Sequence, residues 1–137
     1  MTDCIFCRIV AKEISASVVH EDELTLAFMD LGQVNPGHVL VATKPHVENV
    51  FGLDDVLAAA VFRTTARVAR AARDAFGIPG LNLFQANGKA GAQSVFHFHM
   101  HVLPRWENDG MNLVWPVKNP SRETLQAYCE KMRACLE

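Results

Sequence analysis

Between Val95 and Pro104 the chain reads Val-Phe-His-Phe-His-Met-His-Val-Leu-Pro, with His97, His99 and His101 alternating strictly with Phe98, Met100 and Val102. Successive side chains of a strand point to opposite faces, so this run predicts a β-strand over 95–103, stopped by Pro104, with three imidazoles on one face and three apolar side chains on the other. Three readings of the imidazole face stand open: the ordinary polar face of a half-buried strand, a ligand set for one metal ion, or a catalytic row. Same-face neighbours are about 6.5–7 Å apart, which puts His97 and His101 about 13 Å apart at the backbone. Two neighbours can converge on one ion, whereas three in a row would have to lean severely. One member can therefore bind metal while the others do different work. A free, aligned imidazole can attack phosphorus, with a neighbouring imidazole handling protons near neutral pH.

The rest of the chain surrounds that strand with short elements. At 137 residues it fits one domain, 1–137, with no repeat or linker-like shift in composition. Residues 5–10 read as a short helical or turn-like opening. The runs 17–20 and 24–29 are β-rich and flank Glu21-Asp22-Glu23, which suits a hairpin. Asn35-Pro36-Gly37 is a turn signal, and 38–43 then reads as a strand closed by Pro45. Leu57, Val61, Thr64 or Thr65, Val68 and Ala72 recur at helical spacing after Asp54 or Asp55. Arg63, Arg67, Arg70 and Arg73 populate the other face, and Gly77 with Pro79 ends this one long helix. A strand over 81–86, a glycine-containing loop over 87–92 and a C-terminal helix opening at Ser121 complete the pattern. Without regular β-α alternation, the expected class is α+β with an antiparallel sheet.

Charge and cysteine usage narrow the partners. A net charge of −2 offers no basic field for nucleic acid or an anionic membrane, so any phosphate must be held by local groups. No apolar run approaches the ~20 residues of a membrane helix, and Met1-Thr2-Asp3-Cys4 lacks a signal-peptide layout, so the expected address is the cytoplasm. Asn87-Gly-Lys-Ala-Gly-Ala-Gln-Ser94 abuts the histidines with amide, hydroxyl and backbone N–H groups suited to non-bridging phosphate oxygens. Cys4-x-x-Cys7 is half of a zinc pattern with no second C-x-x-C; His46 and His97 are candidates to complete it, and an unligated or redox pair is the alternative. Cys129 and Cys135, about 240° apart on a helix, are expected as packing residues.

With these residues in place, the chain resembles the histidine triad (HIT) superfamily, in its Hint-like branch of nucleotide-binding phosphoramidases. The matching segments are His97-Phe-His-Met-His-Val-Leu103 preceded by Gln93-Ser94-Val95-Phe96, together with Ala27-Phe28-Met29-Asp30, Gly37-His38, Lys44-Pro45-His46-Val47-Glu48-Asn49 and Asn87-Gly88. The resemblance implies an antiparallel half-barrel sheet with one long helix and short terminal helices, paired as a homodimer. It implies a purine nucleotide substrate cleaved at the α-phosphorus through a covalent nucleotidyl-histidine, with nucleoside 5′-phosphoramidates expected. Dinucleoside polyphosphate hydrolysis and a regulatory nucleotide-binding role are the alternatives. By position, His99 is the nucleophile, His101 contacts the α-phosphate and leaving group, and Gln93 and Ser94 assist departure. Asp30 binds ribose hydroxyls, Asn87 lies on the phosphate side, and Ile5, Phe6, Ile9, Phe28 and Leu31 form the purine slot. Cys4, Cys7, His46 and His97 are the four zinc ligands of zinc-bearing bacterial members, and Trp115 matches an aromatic near the partner's active site. His38 reads as a packed histidine after a turn and stays outside the catalytic set. One departure stands out. The family often has glycine directly before the Gln-Ser pair, where this chain has Ala92, so the local phosphate-cradling backbone is expected to differ.

Overall fold

The computed structural model describes residues 3–137. Its elements run α1 (Ile5–Val10), β1 (Val18–Glu21), β2 (Thr25–Met29), β3 (Val39–Thr43), α2 (Asp55–Phe76), β4 (Gly80–Phe84), β5 (His99–Arg105) and α3 (Arg122–Cys135). The strands form one open sheet in the order β1-β2-β3-β5-β4, every neighbouring pair antiparallel. This is the expected α+β architecture.

Alternation within the central strands builds a core on each face of the sheet. Ala27, Val39, Val41 and Val102 point to the side covered by α2 and pack with its Val61 and Val68. Leu26, Phe28, Leu40 and Ala42 point to the other side, where Phe6 of α1 joins them. The side chain of Asp54 caps α2 by accepting from Leu57 N at 2.8 Å, and Gly77 ends it in the left-handed region at φ 59°. The helix buries Leu57, Ala60, Val61, Thr64, Thr65, Val68 and Ala72 along one stripe, the face its sequence period predicts. Each fully buried aliphatic side chain there contributes roughly 1.5–3 kcal/mol. Gly37, at φ 93°, lets the turn before β3 lie against the end of α2, since a Cβ there would meet the Phe76 ring at 2.9 Å.

The histidine strand departs from its expected bounds at both ends. It starts at His99 rather than Val95, because Phe98 N donates to Val47 O at 2.6 Å and Phe98 O accepts from Thr43 N at 3.3 Å, outside the ladder. It also continues through Pro104, which stands opposite Leu81 of β4. The pairing of β5 with β3 ends at Val102, and Pro104 O accepts from the Asn35 side chain at 2.9 Å. The proline therefore turns its missing N–H toward a side where no strand pairs, the condition under which a sheet tolerates it.

The C-terminal helix is the second correction. Ser121 caps it, accepting from Thr124 N at 3.1 Å, but none of its residues is buried. Cys129 and Cys135 are exposed rather than packed, beside an apolar stripe of Leu125, Tyr128, Met132 and Leu136. No helix among the described residues is long and apolar enough to cross a membrane.

Candidate active site

Two parts of the chain far apart in sequence meet at the start of α1. Cys4 is the helix N-cap and Cys7 lies in its first turn, His46 follows β3, and His97 precedes β5. Their ligand atoms all fall within 4.8 Å of one another. Cys4 Sγ to His97 Nδ1 and Cys7 Sγ to His46 Nδ1 are each 3.3 Å, and the two Nδ1 atoms are 3.2 Å apart. A tetrahedral ion with bonds of about 2.0–2.3 Å needs donors about 3.3–3.8 Å apart, so the spacing fits. The proton on His97 decides the matter. Its Nε2–H donates to Thr43 O at 2.6 Å, which leaves the Nδ1 lone pair facing the cluster, as a ligating histidine requires. Burial lowers the His97 pKa, keeping the ring neutral, and burial together with Cys4 pushes the Cys7 thiol up to about 11. Two sulfurs and two imidazoles in this arrangement can hold a metal ion with no position left for water.

Two residues along the strand, the same device works toward a different end. His99 Nδ1–H donates to His97 O at 2.7 Å, so its Nε2 carries the free lone pair. Burial lowers its pKa, with the bond to His97 O opposing, and the ring is neutral and nucleophilic at pH 7. Beyond it, His38 Nδ1 accepts from Val34 N at 3.3 Å, which puts the His38 proton on Nε2. That N–H donates to His101 Nδ1 at 2.9 Å, and the His101 proton then sits on its outer Nε2. Burial, then His99 and His38, hold the His101 pKa down to about 4 against the attraction of Asp30. Asp30 Oδ2 lies 3.5 Å from His38 Nε2 and 4.0 Å from His101 Nδ1, while its Oδ1 accepts from Gly32 N at 2.9 Å.

A cavity of about 280 Å³ opens over these histidines. Ile5, Phe6, Ile9, Phe28 and Leu31 line it on the apolar side, and Asp30, Ser94, His99 and His101 at the polar end. Nine of the expected site residues thus share one cleft, the kind of mostly apolar pocket with convergent polar groups that binds small molecules. Gln93 and Asn87 do not line it. The buried Gln93 amide donates to Glu48 O at 2.7 Å and Val95 O at 3.1 Å and accepts from Gly88 N at 2.7 Å. Asn87 Oδ1 accepts from Val50 N at 2.8 Å, and its amide pairs with that of Gln85. Both side chains tie the loop down. Ala92 itself adopts the left-handed region at φ 63°, ψ 30°. The alanine therefore keeps the conformation glycine would favour rather than altering the loop.

Residues 11–108 match the family model described as the HIT domain. The chain belongs to the HIT family. The "Protein hit" of Bacillus subtilis is 48% identical over 114 residues, 82% of this chain and 79% of that protein. The "Adenosine 5'-monophosphoramidase hnt1" of Schizosaccharomyces pombe is 32% identical over 130 residues, 94% of this chain and 95% of that one. Among solved structures, that of a HIT family member from Bacillus subtilis superposes with a TM-score of 0.95 at 42% identity, covering 99% of each chain. A zinc-bound histidine triad family protein from Mycobacterium smegmatis gives 0.76 at 32% identity, covering 98% of each.

His38, expected from the sequence as a packed histidine outside the catalytic set, is also a direct partner of His101 in this HIT fold. It is buried and touches His101 directly. The β3–β5 register, which the sequence does not display, brings the two together: by alternation His38 falls on the side of Leu40, which stands opposite His101.

Proposed function

We propose that this HIT protein is a nucleotide-binding hydrolase that cleaves nucleoside 5′-phosphoramidates at the α-phosphorus through His99. The observation that carries this reading is the His99 bond to His97 O, which leaves Nε2 as an unprotonated, preorganised nucleophile at the polar end of an apolar cleft. The purine lies against Ile5, Phe6, Ile9 and Phe28, with Leu31 at the mouth, and Asp30 meets the ribose hydroxyls. Nε2 bonds to phosphorus as the bond to the leaving amine breaks, and the amine takes up a proton on the side of Ser94 and His101. The His101 Nε2–H bonds a phosphate oxygen, and the N–H groups of the loop that Asn87 and Gln93 tie down stabilise charge on the others. Water then displaces His99 from phosphorus and releases the nucleoside monophosphate.

The relative named an adenosine 5′-monophosphoramidase supports the substrate class, and the zinc-bound neighbour supports zinc at Cys4, Cys7, His46 and His97. The metal holds structure there and takes no part in the reaction. A homodimer in the cytoplasm completes the proposal, the second copy covering the exposed Trp115 and the apolar stripe of α3. The test is His99→Ala against a panel of phosphoramidates and dinucleoside polyphosphates. Turnover of phosphoramidates should fall about 10⁴-fold or more while AMP affinity stays within about threefold of wild type. Retained turnover, or a wild-type preference for dinucleoside polyphosphates, overturns the respective part.

A further inference from the structure

The helix α1 does two jobs with six residues. Cys4 and Cys7 supply the thiols of the metal cluster, while Ile5, Phe6 and Ile9 wall the cleft. A helix of one and a half turns does not persist by its own hydrogen bonds, so its position depends on what fastens it. Apolar packing and the cluster both fasten it, and Ile9 and Val10 pack, partly buried, against the same core as Phe6. Phe6, its buried residue, sits edge-on to Phe28, His97 and His99, with ring centroids 5.4, 5.8 and 4.9 Å away. The cluster joins Cys4 and Cys7 to His46, about forty residues on, and to His97, about ninety residues on.

From this shared use we propose that Cys4 and Cys7 are a reversible oxidation site, whose disulfide releases the metal and unfastens the inner wall of the nucleotide cleft. The inference rests on the nucleotide reading of that cleft. An N-cap cysteine followed by a second one turn later is a spacing that closes a disulfide within a single helical turn, and Cys7 N already lies 3.4 Å from Cys4 Sγ. The cluster opens to solvent at His46, which is exposed, while His97 at its far side is fully buried. A hydroperoxide reaches the sulfurs from that side. The two metal-bound thiolates lose two electrons and form one S–S bond. The O–O bond of the hydroperoxide breaks, takes up those electrons and two protons, and leaves as water and an alcohol or a second water. A disulfide offers no thiolate, so the metal departs. The link from α1 to His46 and His97 is then gone, and the wall that also touches His99 is left to the packing of Phe6, Ile9 and Val10.

The experiment uses the zinc-loaded full chain carrying Cys129→Ser and Cys135→Ser, which removes the two exposed thiols of α3 from the reaction. Hydrogen peroxide is added and three quantities are followed: zinc released to a colorimetric chelator, intact mass, and AMP affinity by calorimetry. The expected result is one zinc released per chain, a mass loss of about 2 Da, and AMP binding weakened about tenfold or more, all restored by dithiothreitol with zinc. Zinc release and disulfide formation with unchanged AMP affinity overturn the proposal, and so does peroxide treatment that leaves zinc and thiols in place. A reduced, zinc-loaded protein that never binds AMP instead overturns the nucleotide reading on which the proposal stands.

Discussion

Two clusters of ligating side chains sit on the same face of this sheet, Cys4-Cys7-His46-His97 and Asp30-His38-His101, each with its donor atoms within 4.8 Å of one another. By spacing alone both resemble metal sites. They differ in where a backbone group puts a proton. Thr43 O takes the N–H of His97 and turns a lone pair into the first cluster. Val34 N–H takes the lone pair of His38 and turns a proton into the second, where His101 accepts it. The first arrangement is ready for a cation, and the second is already filled by a hydrogen bond between its own members. A carbonyl or an amide one hydrogen bond behind an imidazole thus decides between metal binding and proton handling.

Removing one thiol separates the two clusters most clearly. Cys7→Ala should drop bound zinc from about one equivalent to near none and lower unfolding stability by several kcal/mol, read by metal analysis and urea denaturation. Zinc titration of the apo wild type should saturate at one equivalent, and a second tight equivalent lost in His38→Ala would erase the distinction. Next in size is the second cluster itself. His38→Ala should slow turnover about 10- to 100-fold with zinc content unchanged, because His101 loses the partner that sets its tautomer.

A smaller effect follows from pH. The folded His101 pKa lies near 4, below the roughly 6.5 of an ordinary histidine, so the unfolded chain binds this proton first. The stability tied to His101 is present above about pH 6.5 and lost as pH falls toward 4. His101→Asn should flatten that part of the stability profile between pH 7 and 5, and a parallel profile would contradict the burial argument. The smallest effect is at Ala92, whose left-handed backbone costs about 1 kcal/mol that glycine avoids. Ala92→Gly should raise stability by about 0.5 kcal/mol in urea, net of the added freedom of the unfolded chain.

What the sequence made legible was whatever repeats at short range. The period-two run from Val95 announced an imidazole face, and the spacing from Leu57 to Ala72 announced the buried stripe of α2. Cys4-x-x-Cys7 announced half a cluster whose remaining members were named from the histidines available. Effects that depend on distant backbone atoms were not legible. Pro104 reads as a strand stop unless one knows that β3 has already ended beside it, and His38 reads as packing unless the β3–β5 register is known. Gln93 and Asn87 look like ligand contacts by residue type, yet their amides are occupied by Glu48 O, Val95 O, Gly88 N and Val50 N. Cys129 and Cys135 look like core because small thiols usually are, yet no residue of α3 is buried among the described residues.

In the proposed mechanism the carbonyl of His97 leaves Nε2 of His99 as the imidazole nitrogen of the cleft that attacks phosphorus. Rapid quench of the zinc-loaded protein with a phosphorus-labelled adenosine 5′-phosphoramidate, followed by digestion under alkaline conditions, maps the trapped adduct to a residue and a nitrogen. One acid-labile nucleotidyl group per active site, on Nε2 of His99, is the expected result. An adduct on His97, His101 or Ser94, or on Nδ1 of His99, overturns the assignment of the nucleophile.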